Sequence, residues 1–303
     1  MISKLPPKRK NQYRVLYWRE AFYYVTPLNL QRKFDFQMGV HWWSGILNPQ
    51  FMRTPASLLG GVTYPQPQVI PFIAPEQRTN FAMSIISNCF ASSQRQTYIN
   101  RLSSYVGKNR VHQYGKCGNL QLPPPPIKNA AKVIATHKFY LSFENTIQDG
   151  YCTEKLLQVL SMPVVPVYYG SPSLPNITII PSFIKVSDFS HPKYLAEYML
   201  YLDSNHEAYN QYHAWRTNSK LFHPEYLEML AIKSPGVYEM WPLRRIFKNY
   251  YPRAAACCRL CDENYLKYAS DSRTHYTPAP LRKPRIEQNF FQGDFFSDPK
   301  SKN

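Results

Sequence analysis

The sequence predicts an α/β fold of parallel sheets covered by helices, and three observations carry that prediction. Strand-like and helix-like segments alternate through the middle of the chain, the pattern expected of strands joined by crossover helices. Two of these runs, 83–115 and 138–170, form similar strand–helix–strand units. With 303 residues, 44% of them hydrophobic, the chain can bury a large core.

In the first unit, MSIIS (83–87) is a short apolar run with strand character. Ser92 and Ser93 are placed to cap a helix on which Ile99, Leu102 and Val106 recur at helical spacing. RVHQYG (110–115) returns to strand character. The stretch LQLPPPPIKN (120–129) is proline-rich and reads as a stiff linker or hinge, the best internal boundary. In the second unit KFYLSF (138–143) favours a strand, and Thr153 can cap a helix carrying Leu156, Val159 and Leu160. VVPVYYG (164–170) reads as a buried strand, although Pro166 removes one ladder donor. Ser190 is placed to cap a helix over 190–203 with Leu195, Met199 and Leu202 on one face, and HEAYNQYHAWR (206–216) predicts another. From about residue 270 periodicity is lost and the chain reads as a basic, disordered tail.

Charge favours an anionic partner: 36 Lys and Arg against 19 Asp and Glu leave a net +17. Basic runs at 6–10 and 281–285 supply much of that excess, and no RNA- or DNA-binding motif accompanies it, so a nucleic-acid-binding protein is the weaker reading. The N-terminus lacks the apolar core of a signal peptide, and no apolar run approaches the ~18 residues of a membrane span. Six cysteines are too sparse for a small disulfide scaffold, and the C-x-x-C at 258–261 lacks a second ligand pair for zinc. Asn176-Ile177-Thr178 is the one N-glycosylation sequon.

The chemistry concentrates in SFENTIQDGYCTEK (142–155), a strand-to-helix turn. Ligands of parallel α/β sheets collect at the carboxyl ends of strands, where helix N-termini present unsatisfied N–H groups. Arg95 and Lys155 each fall in the first turn of such a helix, the electrostatically poor end for a cation, which points to an anion held between them. Simple solvation of Arg95, and pairing of Lys155 with Glu144 or Glu154, are the bland alternatives. Glu144 or Glu154 can accept from ribose hydroxyls, Asn145 can donate and accept, and Tyr140 or Tyr151 offers a ring face and a hydroxyl. Against this, Glu144 also suits a buried structural carboxylate and Tyr140 suits strand packing. No Walker loop, G-x-G-x-x-G or D-x-D occurs, so the sequence predicts a transfer site without metal in which arginine and lysine neutralise a diphosphate.

KFYLSFENTIQDGYCTEKLLQVLSMPVVPVYYG (138–170) resembles the α1,3-fucosyltransferase signature of glycosyltransferase family 10, with Gly150 inserted between its Asp and Tyr. SNCFASSQRQTYINRLSSYV with VHQYGKCG, the segment 183–216, and CCRLCDE extend the resemblance over about 14–265. The resemblance implies a GT-B-like fold of two Rossmann-like halves, with the N-terminal half incomplete and no signal anchor in this chain. It divides the chain into a partial acceptor-side half with linker (1–122), a GDP-fucose-binding half (123–269) and the tail (270–303). It implies inverting transfer of L-fucose from GDP-fucose, with no other cofactor, to a GlcNAc-containing glycan in an α1,3 linkage, in the Golgi lumen. A pseudoenzyme that binds the GDP-sugar without turnover is the alternative. Arg95 and Lys155 would neutralise the diphosphate, while Tyr140, Asn145, Tyr151 and Glu154 would surround the donor. Glu20, in VLYWREAFYYVTPLNL, matches the position of the family's base, although REAFYY departs from the usual serine and proline. Cys89 and Cys117 lie near the ends of neighbouring expected strands, where oxidation would join them, Cys258 and Cys261 match the family's oxidised C-terminal pair, and Asn176 remains a glycosylation candidate.

Overall fold

In a computed structural model, the described residues are 7–9, 12, 14–17, 20–21, 33–41, 46–47, 74, 77–124, 126–174, 176–217 and 219–224. Cys258, Cys261 and the expected tail lie outside them.

Two parallel sheets occur among these residues. The smaller holds β1 (Val15–Tyr17), β2 (Phe36–Gly39) and β3 (Ile46–Leu47) in that order. The larger contains β4 (Asn80–Ile85), β5 (Val111–Tyr114), β6 (His137–Phe143), β7 (Val165–Tyr169) and β8 (Ile184–Lys185), in the order β5-β4-β6-β7-β8. All seven residues of β6 are buried, as befits a central strand covered on both faces. β7 is interior yet carries Pro166 opposite Tyr140. The conflict is mild because β8 pairs only from Val167 onward, so Pro166 has one strand beside it and not two.

Helices cover the sheet. α1 (Arg95–Val106) buries Ile99, Leu102 and Val106 and packs on α4 (Pro192–Ser204), which buries Leu195, Met199 and Leu202. Those faces are the ones their apolar spacing predicts. α3 (Glu154–Leu157) is a single turn continued by a 3-10 turn at Val159–Ser161, and it still buries Leu156, Val159 and Leu160. α5 (His206–Gln211) leads to a 3-10 turn at Ala214–Thr217 whose Trp215 is wholly buried.

Three local expectations change. α1 starts after Gln94, which sits at φ 52° with no side-chain cap, while Ser92 and Ser93 turn away to the end of β6. α4 is capped by His191 and not by Ser190: His191 Nδ1 accepts from Lys193 N at 3.1 Å. Pro192 opens that helix and forces the residue before it into an extended conformation, which places the cap at 191. The proline-rich stretch ends earlier than expected, because Pro126 opens α2 (Pro126–Ala135), a position where the missing N–H costs nothing. β5 and β6 stand on either side of that stretch in one sheet, so it joins strands of a single sheet across β4.

From β4 the chain moves outward to β5, then returns to the other side of β4 to lay down β6. The order therefore reverses between β4 and β6, and a crevice opens outside the carboxyl ends of such neighbouring strands.

Candidate functional site at the carboxyl ends of β4 and β6

The loop after β4 is fastened to the end of β6 through three successive carbonyls. Arg95 Nη1 donates to Phe143 O at 2.8 Å, Ser93 Oγ to Glu144 O at 2.7 Å, and Ser93 N to Asn145 O at 3.1 Å. A Cys89–Cys117 disulfide ties the same loop to the one after β5, as their places near the ends of neighbouring strands suggest. Gly115 makes that approach possible: its φ is 88°, and a Cβ there would come within 2.6 Å of Ile86 O. Arg95 is thus where the sequence places it, but 4% exposed, with Nη2 also donating to Asn88 O at 3.1 Å. Burial pushes its pKa down, against the pull of Glu144. Nε is buried without a hydrogen-bond partner.

Glu144, with no exposed surface, is the hub. It accepts from Thr153 N at 2.7 Å and Thr153 Oγ1 at 2.8 Å, and it pairs with Lys155 Nζ at 3.1 Å. Of its two sequence readings the buried structural carboxylate holds, because its oxygens are already engaged by the turn. Burial pushes its pKa up, opposed by Lys155 and Thr153. Thr153 caps α3 as expected, and its Oγ1 also accepts from Lys155 Nζ at 2.8 Å. Although burial is the largest influence on Lys155 and acts downward, Glu144 and Glu154 together carry the net shift upward, so the ammonium stays charged. Its side chain is 27% exposed, and Glu154 lies 3.5 Å away. Arg95 and Lys155 both feel the Glu144 charge and repel one another. Of the two cations, Lys155 contacts the Glu144 carboxylate, while Arg95 is bonded to the carbonyls of Phe143 and Asn88.

The rest of the turn reaches toward the first sheet. Gly150, at φ 74°, donates its N–H to Ser171 Oγ at 2.9 Å. Tyr151, 1% exposed, donates its hydroxyl to Asn145 Oδ1 at 3.1 Å. Asn145 Nδ2 in turn donates to Glu20 Oε2 at 3.3 Å across 125 residues of sequence. Glu20 is exposed, whereas the next residue, Ala21, is wholly buried in the cluster that holds Tyr151, Leu156 and Trp215. Burial, reinforced by Glu144 and Glu20, pushes the Tyr151 hydroxyl well above its ordinary range.

Tyr140 packs in a cluster with Met83, Ile134, Val159, Met162 and Val164, and burial, reinforced by Glu154 and opposed by Arg95, pushes its hydroxyl up. Glu154 remains at the half-buried mouth of the turn. Asn176 is exposed and accepts from Lys185 Nζ at 3.2 Å, at the rim of a groove of about 430 Å³ that none of the other site residues lines.

Two participants were missed in the sequence. His41 is wholly buried, shares a 3.1 Å hydrogen bond between its Nε2 and Gln148 Oε1, and pairs through its backbone with Tyr151. No local pattern marks it. Gly170 closes over the hub, and a Cβ there would lie 2.8 Å from Glu144 Cγ. Its place at the end of VVPVYYG was the available signal. Among the described residues no group of three His, Cys, Asp or Glu side chains is placed to hold a metal ion, and no helix is long and apolar enough to cross a membrane.

Comparison with known proteins points to a fucosyltransferase family. The family model described as "Glycosyltransferase family 10 (fucosyltransferase) C-term" matches residues 75–270. GDP-fucose protein O-fucosyltransferase 3 from Homo sapiens is 37% identical over 163 residues, covering 51% of this chain and 33% of that protein. The Xenopus laevis protein of the same name is 30% identical over 213 residues, covering 64% of this chain and 44% of that one. The match thus spans a third to 44% of these curated relatives' length. A crystal structure of α1,3-fucosyltransferase with GDP-fucose aligns with a TM-score of 0.51 and 22% identity over 74% of each chain. That likeness shows the fold, of the GT-B-like α/β class the sequence predicts.

Proposed function

The chain belongs to glycosyltransferase family 10, the fucosyltransferases, and from that premise we propose that it moves L-fucose from GDP-fucose to a hydroxyl of a protein acceptor. The observation that carries this reading is the contact of Glu20 with Asn145, which sets an exposed carboxylate against the turn that holds Lys155. In the reaction the acceptor oxygen forms a bond to the anomeric carbon as the bond to the β-phosphate oxygen breaks. Glu20 takes the acceptor proton, GDP leaves with the bonding electrons, and the anomeric centre inverts. Lys155, charged and partly exposed, stabilises the developing charge on the diphosphate. Arg95 adds its field while its nitrogens hold the end of β6 and the loop after β4.

The relatives' shared name speaks for a protein hydroxyl, which moves the α1,3-linked GlcNAc-containing glycan to second place as acceptor. The Cys89–Cys117 disulfide supports an oxidising compartment such as the Golgi lumen.

GDP release from GDP-fucose, measured with a serine- and threonine-containing folded domain and separately with a GlcNAc-terminated glycan, tests the proposal. Glu20→Gln is expected to abolish transfer while sparing donor affinity. Donor binding without turnover on any acceptor would identify the GDP-sugar-binding pseudoenzyme. Absence of GDP-fucose binding to the folded chain overturns both.

A further inference from the structure

We propose that Phe90 and Ile147 form an apolar rim at the mouth of the crevice that docks the folded surface of a protein acceptor, an inference that rests on the protein-acceptor reading above. Of the six large hydrophobic side chains exposed among the described residues, these two alone lie on the loops after β4 and β6. Phe90 is 98% exposed and Ile147 38%. A single apolar side chain in water means little. The setting of these two gives them a partner.

Both are carried on fastened backbone. Cys89, beside Phe90, is cross-linked to Cys117, and on the other side Ala91 O accepts from Gln94 N at 2.9 Å. Ile147 stands between Asn145, whose Nδ2 donates to Glu20 Oε2, and Gln148, which shares a hydrogen bond with His41. The two loops join at Ser92, whose Oγ donates to Asn145 O at 3.2 Å and lies 3.1 Å from Thr146 Oγ1. Phe90 and Ile147 are each within two residues of that junction, at most about 7 Å of chain.

An acceptor hydroxyl has to come within hydrogen-bond reach of Glu20, the partner of Asn145. A folded acceptor seated there covers about 800 Å² of the chain, a patch of roughly 16 Å radius, wide enough to reach both apolar residues. A short peptide covers far less. Loops fastened beforehand dock without the ordering cost that a mobile loop incurs.

The test measures transfer to a panel of serine- and threonine-containing folded domains and to short peptides carrying the same hydroxyl. It compares wild type with Phe90→Ser, Ile147→Ser and, as a control on another face, Tyr194→Ser. The ratio of domain to peptide kcat/KM is expected to fall about tenfold in Phe90→Ser and about threefold in Ile147→Ser, through KM, the loss that follows truncation of an apolar interface contact. Tyr194→Ser should leave the ratio where it is, and GDP-fucose affinity should hold in all three. An unmoved ratio, or a loss shared equally by domain and peptide, overturns the inference. So does a fall in GDP-fucose affinity, which would set Phe90 against the donor, or a loss confined to a GlcNAc-terminated glycan, which would make the rim a sugar-stacking surface. Should wild type bind a folded domain and never fucosylate it, the functional reading fails, while calorimetry of that domain on Phe90→Ser still decides the docking. A wild type that binds GDP-fucose but no domain overturns the rim.

Discussion

Lys155 forms a 3.1 Å ion pair with Glu144, a carboxylate that has no surface of its own in water. One partner is sealed and the other, at 27% side-chain exposure, opens toward the crevice, so a single contact joins the core to the candidate donor site.

Removing the sealed charge should unfold more than it disarms. Glu144→Gln keeps the shape but removes the ion pair with Lys155 and sets an amide NH₂ among the Thr153 donors, and a loss of about 2–4 kcal/mol in urea denaturation is expected from breaking a buried, hydrogen-bonded carboxylate. A change below about 0.5 kcal/mol, the size of an ordinary surface substitution, would refute the hub role.

Gly170→Ala drives a methyl against Glu144 Cγ and the Tyr168 ring, which are both in the packed interior. Overpacking of this kind costs about 1–3 kcal/mol. The same variant should also weaken GDP-fucose binding, because Glu144 can yield only by shifting Thr153 and Lys155. Calorimetry with a variant that melts like wild type and binds GDP-fucose as tightly would contradict this.

Reduction of Cys89–Cys117 frees a 28-residue separation in the unfolded chain. Loop-closure entropy for that length is worth about 3–4 kcal/mol. Cys117→Ser, or dithiothreitol on the wild type, should lower the denaturation midpoint accordingly, with intact mass before and after alkylation reporting the bond. Equal midpoints in both redox states would count against it.

Acid should destabilise the fold well before its carboxylates titrate fully. Burial lowers His41 and His137 to about 4, with Gln148 and Asp149 acting upward on the first, and Val133 O upward but His112 downward on the second. The unfolded chain binds these protons near the ordinary pKa of ~6.5 while the folded chain does not, so stability is whole above that pH and drains as pH falls toward 4. Each histidine contributes on the order of 3 kcal/mol across the window. Urea titrations at pH 7.5, 6 and 5 should show the decline, and His41→Asn should roughly halve it, leaving the His137 share. A profile that stays level between pH 7.5 and 5 would rule it out.

Much of the sheet was legible because its signals are local. Apolar runs at 83–87, 138–143 and 164–170 became β4, β6 and β7, and the spacing of Ile99, Leu102 and Val106 became the buried face of α1. The serines were not legible in the same way. Ser92, Ser93 and Ser190 carry the short hydroxyl that suits a cap, yet two of them reach across to β6 and the third yields to the residue before a proline.

By itself the sequence determined the class of fold, the turn where the polar chemistry gathers, and the candidacies of Arg95, Lys155 and Glu20. Tertiary structure alone decided that β6 lies beside β4, that Glu144 is sealed beneath Lys155, that Tyr140 belongs to the core, and that Asn145 spans 125 residues to meet Glu20. Periodicity and capping reflect forces between residues a few positions apart and so leave a repeat in the chain. Contacts between distant segments depend on strand order and packing, which impose no such repeat on either partner.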